Sequence, residues 1–138
     1  MAFPVPVPGL VVRYDFLWSD ESAAGKSARK DRPSCILVAI DTGTGSGSVV
    51  LLPITHTEPS GDTVGIEIPQ AVKRHLGLDS ERGWIVVSQY NVDEWPNPGL
   101  SPVQGKADGF SYGFVPPGLF AQVKEAFLAV AHRRGVQR

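Results

Sequence analysis

The sequence predicts a small, mainly β domain with a strongly curved sheet or barrel and one packed C-terminal helix. The chain has 138 residues, of which 42% are hydrophobic, so it can bury one core. Short apolar runs rich in β-branched and aromatic residues recur between turns that contain glycine and proline. A single long amphipathic segment follows the last of these runs. This order favours a curved sheet or barrel covered by a helix. Since we find no internal repeat and no second domain, residues 1–138 are predicted to form one unit.

The predicted strands are organised around a central hairpin. Two apolar runs are joined by residues 41–48, which contain three glycines and are typical of a hairpin loop. Another run precedes this hairpin and three follow it. The predicted strands are 10–18, 35–40, 49–52, 64–69, 84–89 and 110–115.

The remaining segments are predicted to be an arm, loops and helices. Alternating prolines at 3–8 favour an extended arm over residues 1–9. Residues 19–31 are small and polar and predict a flexible loop, and 91–109 is rich in Pro, Gly and Asp, which is typical of a further loop. Residues 70–76 predict two helical turns that end at Gly77. The long helix is predicted over 119–133, with an apolar stripe formed by Leu119, Phe120, Val123, Phe127, Leu128 and Val130.

Composition excludes several classes of function. Thirteen basic and fourteen acidic residues give a net charge of −1, so nucleic-acid binding would need a local basic patch. The one cysteine excludes disulfides within the chain and cysteine-rich metal sites, and a buried strand cysteine is its expected role. The N-terminus lacks the features of a signal peptide, and no apolar run is long enough to cross a bilayer. We therefore expect a soluble, cytoplasmic protein with no membrane contact.

Common catalytic and cofactor motifs are absent from the sequence. There is no phosphate loop of the G-x-x-x-x-G-K-[ST] type, no G-x-G-x-x-G and no H-E-x-x-H. His56, His75 and His132 are far apart in the chain and lack metal-ligand spacing. We therefore predict no metal site and no cofactor.

Polar residues flank the central hairpin at the two ends that it would bring together. Arg32 stands just before the first strand, and Thr55, His56 and Thr57 follow the second. A guanidinium, two hydroxyls and an imidazole at one rim of a sheet would suit a phosphate. The alternatives are structural: a surface salt bridge from Arg32 to an acidic neighbour and a strand-end cap for Thr55. Similarly, the cations of residues 73–75 are expected on a solvated helix face.

The order of these features resembles the MazF/PemK (Kid) toxins of bacterial type II toxin–antitoxin modules. The early Gly9–Val12 strand, Arg32-Pro33 with its apolar strand, Pro53-Ile54-Thr55, the strand at 84–89 and the C-terminal helix carry the resemblance over most of the chain. It implies an SH3-like barrel that forms a homodimer and cleaves single-stranded RNA without a metal. It also implies 2′,3′-cyclic phosphate and 5′-hydroxyl products, and a cognate antitoxin that inhibits the toxin in a DNA-binding complex.

The resemblance also implies roles for individual residues. Arg32 and Thr55 match the catalytic Arg and Thr of the family. Either His56 or Thr57 stands where relatives often carry another Ser or Thr, and Gln89 lies in the strand that borders the substrate groove in relatives. We add Lys26, Arg29 and Lys30 of the predicted loop as candidates for binding RNA. His56 is the candidate for proton transfer, provided that the backbone bends after Thr55 and turns both side chains to the rim.

Two alternative functions use the same fold. One is a catalytically silent binding module, and the other is a gyrase-poison toxin, which acts through its C-terminal residues. A homodimer is expected in any case, because Phe16, Trp18 and Trp95 fall in or beside predicted loops and strand ends where a lone small barrel would leave them exposed.

Overall fold

The protein is mainly β with two helices, one of them C-terminal, as the sequence predicts, but the described residues form eight strands where six were predicted. The computed structural model describes residues 3–18, 29–41, 46–106 and 109–135. The strands are β1 Leu10–Leu17, β2 Arg29–Asp41, β3 Gly47–Thr55, β4 Gly65–Glu67, β5 Trp84–Val86, β6 Asn91–Trp95, β7 Leu100–Ser101 and β8 Ser111–Phe114. The helices are α1 Gln70–Leu76 and α2 Pro117–Gly135.

All the strands belong to one antiparallel sheet with the order β4-β5-β3-β2-β1-β7, and β6 and β8 pair with β3 and β1. β3 pairs with β2 on one side, whereas its other side pairs with β6 along its first half and with β5 at its end. β1 divides one of its sides between β7 and β8 in the same way. Within the described ranges no pair joins β4 to β7, so the sheet is open there.

The second strand is longer than the sequence predicts. Arg29, Lys30 and Asp31 were predicted to lie in a loop, but they belong to β2 and pair with residues 15–17 of β1. Arg32 likewise lies inside β2, opposite Tyr14, and not before the strand. The predicted loop fails here because the partner strand supplies hydrogen bonds to residues whose own composition is polar and small. The rest of that predicted loop, residues 19–28, lies outside the described residues.

The segment 91–109 is not a plain loop, because it contains β6 and β7. The Asn91 side chain replaces a backbone pairing: its amide donates to Leu17 O at 3.1 Å and its oxygen accepts from Leu17 N at 3.0 Å. Trp95 is fully buried, and its indole N–H donates to Pro4 O at 3.0 Å, which ties the extended N-terminal arm to the sheet. Gln89 lies after β5, which ends at Val86 and not at residue 89.

Two hydrophobic clusters pack on the two faces of the sheet, because side chains alternate along the strands. One contains Val11, Cys35 and Leu52 and continues into both helices. The other contains Val12, Tyr14, Phe16, Ile36 and Leu51, with Trp95 and Leu100. Phe16 and Trp95 are buried within the single chain, so they do not require the second copy that we expected them to need.

The two helices close the first cluster. α1 ends at Gly77, which has a left-handed φ of 74°. Lys73 was predicted on a solvated face, but its side chain is buried. α2 begins at Pro117, and its buried stripe contains Leu119, Val123 and Val130, whereas Leu128 is 61% exposed. Neither helix combines the length and the apolar character that a membrane crossing requires, as far as the described residues go.

Candidate active site

One pocket collects most of the predicted site residues. It has a volume of about 430 Å³. Its walls come from β2, from the ends of β3 and β5, and from the residue that follows β1. Its lining includes Arg32, Thr55, His56, Thr57 and Gln89. The other lining residues are Trp18, Glu58, Pro59, Ser60, Thr63 and Val86.

Strand register explains why Arg32 and Thr55 share this pocket. In the β2–β3 ladder Ser34 lies opposite Pro53. This is the last pair of the ladder, and Arg32 and Thr55 each lie two residues beyond it on their own strands. A shift of two keeps both side chains on the same face of the sheet. Residues that are 23 positions apart in sequence are therefore neighbours at the pocket rim.

The guanidinium of Arg32 packs over an aromatic ring. Its Cζ lies 4.9 Å from the centroid of the Trp18 ring, within the range of a cation–π interaction. Trp18 directly follows β1, and its other ring contact is with Phe16 of the core at 5.3 Å. The contact holds the guanidinium beside the ring at the pocket wall.

The backbone bends after Thr55, as the hypothesis for His56 requires. The Thr57 N–H donates to Thr55 Oγ1 at 3.1 Å, and residues 56 and 57 form a bend. This turn is the strand-end cap that we considered as the structural alternative for Thr55. The hydroxyl accepts in this bond, so its proton can still be donated to a ligand in the pocket.

His56 is held by acidic residues that the sequence did not indicate. Its Nε2 lies 2.7 Å from Asp79 Oδ2, and its Nδ1 lies 3.9 Å from Glu81 Oε1. Asp79 Oδ1 accepts from the buried Lys73 ammonium at 2.7 Å. Lys73 also donates to the Glu81 carbonyl oxygen.

The charges around Asp79 keep it ionised. Partial burial raises the pKa of Asp79, but the hydrogen bond and charge of Lys73 lower it, helped by the charge of His56 and by the Glu81 N–H. The net pKa of Asp79 lies below its ordinary value. At neutral pH the carboxylate is therefore an acceptor for donors on both of its oxygens.

His56, Asp79 and Glu81 also have the donor types of a metal site. Their potential ligand atoms lie within 4.8 Å of one another. However, the Lys73 ammonium occupies one Asp79 oxygen and the His56 ring the other. A cation next to the ammonium would be repelled, so we assign no metal site to this cluster.

The candidates for RNA binding divide into two groups. Thr57 and Gln89 lie in the pocket lining. Lys26 lies outside the described residues, and so do the side chains of Arg29 and Lys30, whose backbone belongs to β2.

Sequence reasoning missed Trp18, Lys73 and Asp79. Trp18 ends the first apolar run, and its contact with Arg32, which pairs with Tyr14 four residues earlier, depends on tertiary packing. Lys73 stands one turn before Leu76 on the buried face of α1, and this spacing was a usable signal. Asp79 is 23 residues from His56, and no local pattern links the two.

No protein-family model matches this chain, and no curated protein matches it either. A function is therefore to be sought in the residues of the pocket and in the order of the sequence features.

Proposed function

We propose that this protein is a metal-independent endoribonuclease of the toxin type, which cleaves single-stranded RNA to 2′,3′-cyclic phosphate and 5′-hydroxyl ends. The observation that carries the proposal is the meeting of Arg32, Thr55 and His56 in one pocket. These are the groups that cleavage by a ribose 2′-hydroxyl needs: a cation for the phosphate, a hydroxyl to position it and a group that exchanges protons.

The chemistry assigns a task to each group. When the 2′-oxygen attacks the adjacent phosphorus, negative charge builds on the non-bridging oxygens, and the Arg32 guanidinium stabilises it. Thr55 donates its hydroxyl proton to one of these oxygens. His56 exchanges the protons that leave the 2′-oxygen and reach the departing 5′-oxygen. RNA supplies the nucleophile, so the protein needs none.

The pocket also suits a nucleotide in its shape and chemistry. Its volume of about 430 Å³ falls in the range of roughly 300–1,000 Å³ that is typical of small-molecule sites. Trp18 and the Arg32 guanidinium over its ring both line the pocket, and the bases of single-stranded RNA commonly stack on aromatic rings or on guanidinium planes. Gln89, in the same lining, carries an amide, which has the donor and acceptor types found on a base edge.

Assembly forms part of the same proposal: an SH3-like barrel that works in the cytoplasm as a homodimer and is inhibited by an antitoxin. A row of exposed apolar side chains on the sheet supports a partner. Val38, Val50 and Val92 lie side by side across β2, β3 and β6, and Val38 and Val92 are exposed, as is Ile40. Exposed apolar patches of this kind mark protein contacts.

The same apolar row favours a second candidate function, a catalytically silent module that binds a protein. In that case Arg32 would serve mainly to pack over Trp18. The gyrase-poison alternative depends on C-terminal residues, of which 136–138 lie outside the described residues.

The experiment that tests the proposal is incubation of purified protein with a long single-stranded RNA in EDTA. We expect cuts at defined sequences, with cyclic-phosphate and 5′-hydroxyl ends on mapping. Intact RNA would refute the nuclease function, and cleavage abolished by EDTA would refute a metal-independent mechanism. DNA gyrase inhibited by a protein that leaves RNA intact would favour the gyrase poison.

A further inference from the structure

A chain of three side chains leads from the interior of the protein to the pocket. Lys73 is buried, Asp79 is about half-exposed, and His56 lines the pocket. Lys73 Nζ donates to Asp79 Oδ1 at 2.7 Å, and His56 Nε2 lies 2.7 Å from Asp79 Oδ2 as an ion-pair contact. The order is therefore a buried cation, a carboxylate and an imidazole.

The two oxygens of Asp79 have separate partners. Oδ1 accepts from the Lys73 ammonium at 2.7 Å and from the Glu81 N–H at 3.1 Å. Oδ2 lies 2.7 Å from His56 Nε2. Both partners of Oδ1 can only donate, and one of them is buried and fixed. This arrangement sets the rotation of the carboxylate and leaves Oδ2 as an acceptor directed at the imidazole.

We propose that Asp79 and Lys73 are positioning residues that fix His56 with its proton on Nε2, so that Nδ1 is the nitrogen that exchanges protons with the substrate. The role of Nδ1 rests on the proposed RNA cleavage. There the 2′-hydroxyl proton passes to Nδ1 as the O2′–P bond forms, and a proton is returned to the 5′-oxygen as the P–O5′ bond breaks. The protein ends the reaction in its starting protonation state.

Other charged groups around His56 do not compete for Nε2. Glu81 faces Nδ1, but at 3.9 Å it is beyond hydrogen-bond distance, and its side chain is 70% exposed. Arg32 and Glu58 line the same pocket, and the Lys73 ammonium donates to Asp79 and to the Glu81 carbonyl oxygen. Of the two carboxylates near the His56 ring, Asp79 is the one within hydrogen-bond distance.

The tautomer of His56 can be measured without any substrate. In Asp79→Asn the side-chain oxygen should stay with Lys73 and the Glu81 N–H, since both are donors. The new NH₂ group would then face Nε2 and donate to it, which moves the His56 proton to Nδ1. Long-range ¹H–¹⁵N spectra of ¹⁵N-histidine protein, recorded well above neutral pH, distinguish the two tautomers, and His56→Gln assigns the signals.

Glu81→Gln is the matched control, because it neutralises the other carboxylate near the ring. We expect Nε2–H in wild type and in Glu81→Gln, and Nδ1–H in Asp79→Asn. The same tautomer in wild type and Asp79→Asn would overturn the proposal. If Asp79→Asn does not fold because the Lys73 charge is left buried, the double variant Lys73→Met/Asp79→Asn carries the same test.

RNA cleavage is the second readout. Asp79→Asn should lower kcat by about 10²-fold or more with little change in KM, since a wrongly placed proton disables a proton-transfer group. Adding Asp79→Asn to His56→Gln should cost nothing further. If Asp79→Asn lowered kcat as much in the His56→Gln background as it does in wild type, the positioning role would be overturned. If wild type cleaves no RNA, the proposed function fails, whereas the NMR comparison still decides the tautomer.

Discussion

Replacing Arg32 by alanine separates a catalytic role from a structural one. If the guanidinium stabilises charge on the phosphate, its removal should slow cleavage by on the order of 10²–10³-fold. Arg32→Lys should also be impaired, because an ammonium cannot form the bidentate contact and packs less well over Trp18.

The structure gives the cost of the same change to stability. Arg32→Ala loses a partly exposed cation–π contact, which contributes about 0.5–1 kcal/mol. Alanine within β2 adds up to about 1 kcal/mol because it packs poorly in a strand. A loss of about 1–2 kcal/mol from a typical stability of about 5 kcal/mol or more leaves over roughly 99% of the protein folded. Unfolding therefore cannot account for a 100-fold slower reaction.

The assay is single-turnover cleavage of a defined RNA in EDTA, with thermal unfolding followed by circular dichroism on the same samples. Arg13→Ala is the matched control, since Arg13 is a half-exposed arginine of the neighbouring strand that lies outside the pocket, 3.6 Å from Asp31. We expect Tm to fall by a few degrees in Arg32→Ala, and Arg13→Ala to cleave like wild type. The reasoning is refuted if folded Arg32→Ala cleaves RNA at the wild-type rate, or if Arg13→Ala loses as much activity.

Three further predictions concern stability and reactivity. Burial raises the pKa of Cys35 to about 12, so roughly one thiol in 10⁴ is ionised at pH 8; a thiol reagent should label it only through unfolding, and labelling as fast as a free thiol would contradict this. The folded-state pKa of Asp79 is lowered, so the stabilising contribution of its carboxylate is present above about pH 4 and is lost as the pH falls below that. The Tm difference between wild type and Asp79→Asn should therefore disappear below about pH 4. A Tm difference that does not change with pH would argue against the ion pair. A methyl group at Gly65 would lie 2.9 Å from Pro59 Cγ, so Gly65→Ala should cost about 1–3 kcal/mol in a denaturant titration. Gly118 has nothing within 4 Å and lies in the first turn of α2, so Gly118→Ala should be neutral or stabilise by up to about 1 kcal/mol; equal effects of the two changes would refute the steric argument.

The central hairpin was predictable because its signals are local. Continuous apolar runs at 35–40 and 49–52, with glycines between them, predict buried strands without reference to other segments of the chain. β6 and the start of β2 were not predictable in this way. Asn91 and Arg29 are polar, and each is in a strand because a neighbouring strand offers hydrogen-bond partners. Pairing of this kind is decided by tertiary contacts and leaves no periodic pattern in the sequence.

The same distinction between local and tertiary signals applies to the candidate site. Arg32 before one apolar run, and Thr55 and His56 after the next, could be named as candidate site residues from the sequence, because the two strands of a hairpin return to the same rim. Only the tertiary structure decided what surrounds those groups: Trp18 under the guanidinium, and Asp79 with the buried Lys73 behind the imidazole. The reason is the distance in sequence between the residues that interact. A hairpin is specified by neighbours in sequence, whereas a buried lysine and a carboxylate that orients a histidine 23 residues away are brought together only when the sheet, α1 and the segment after it pack.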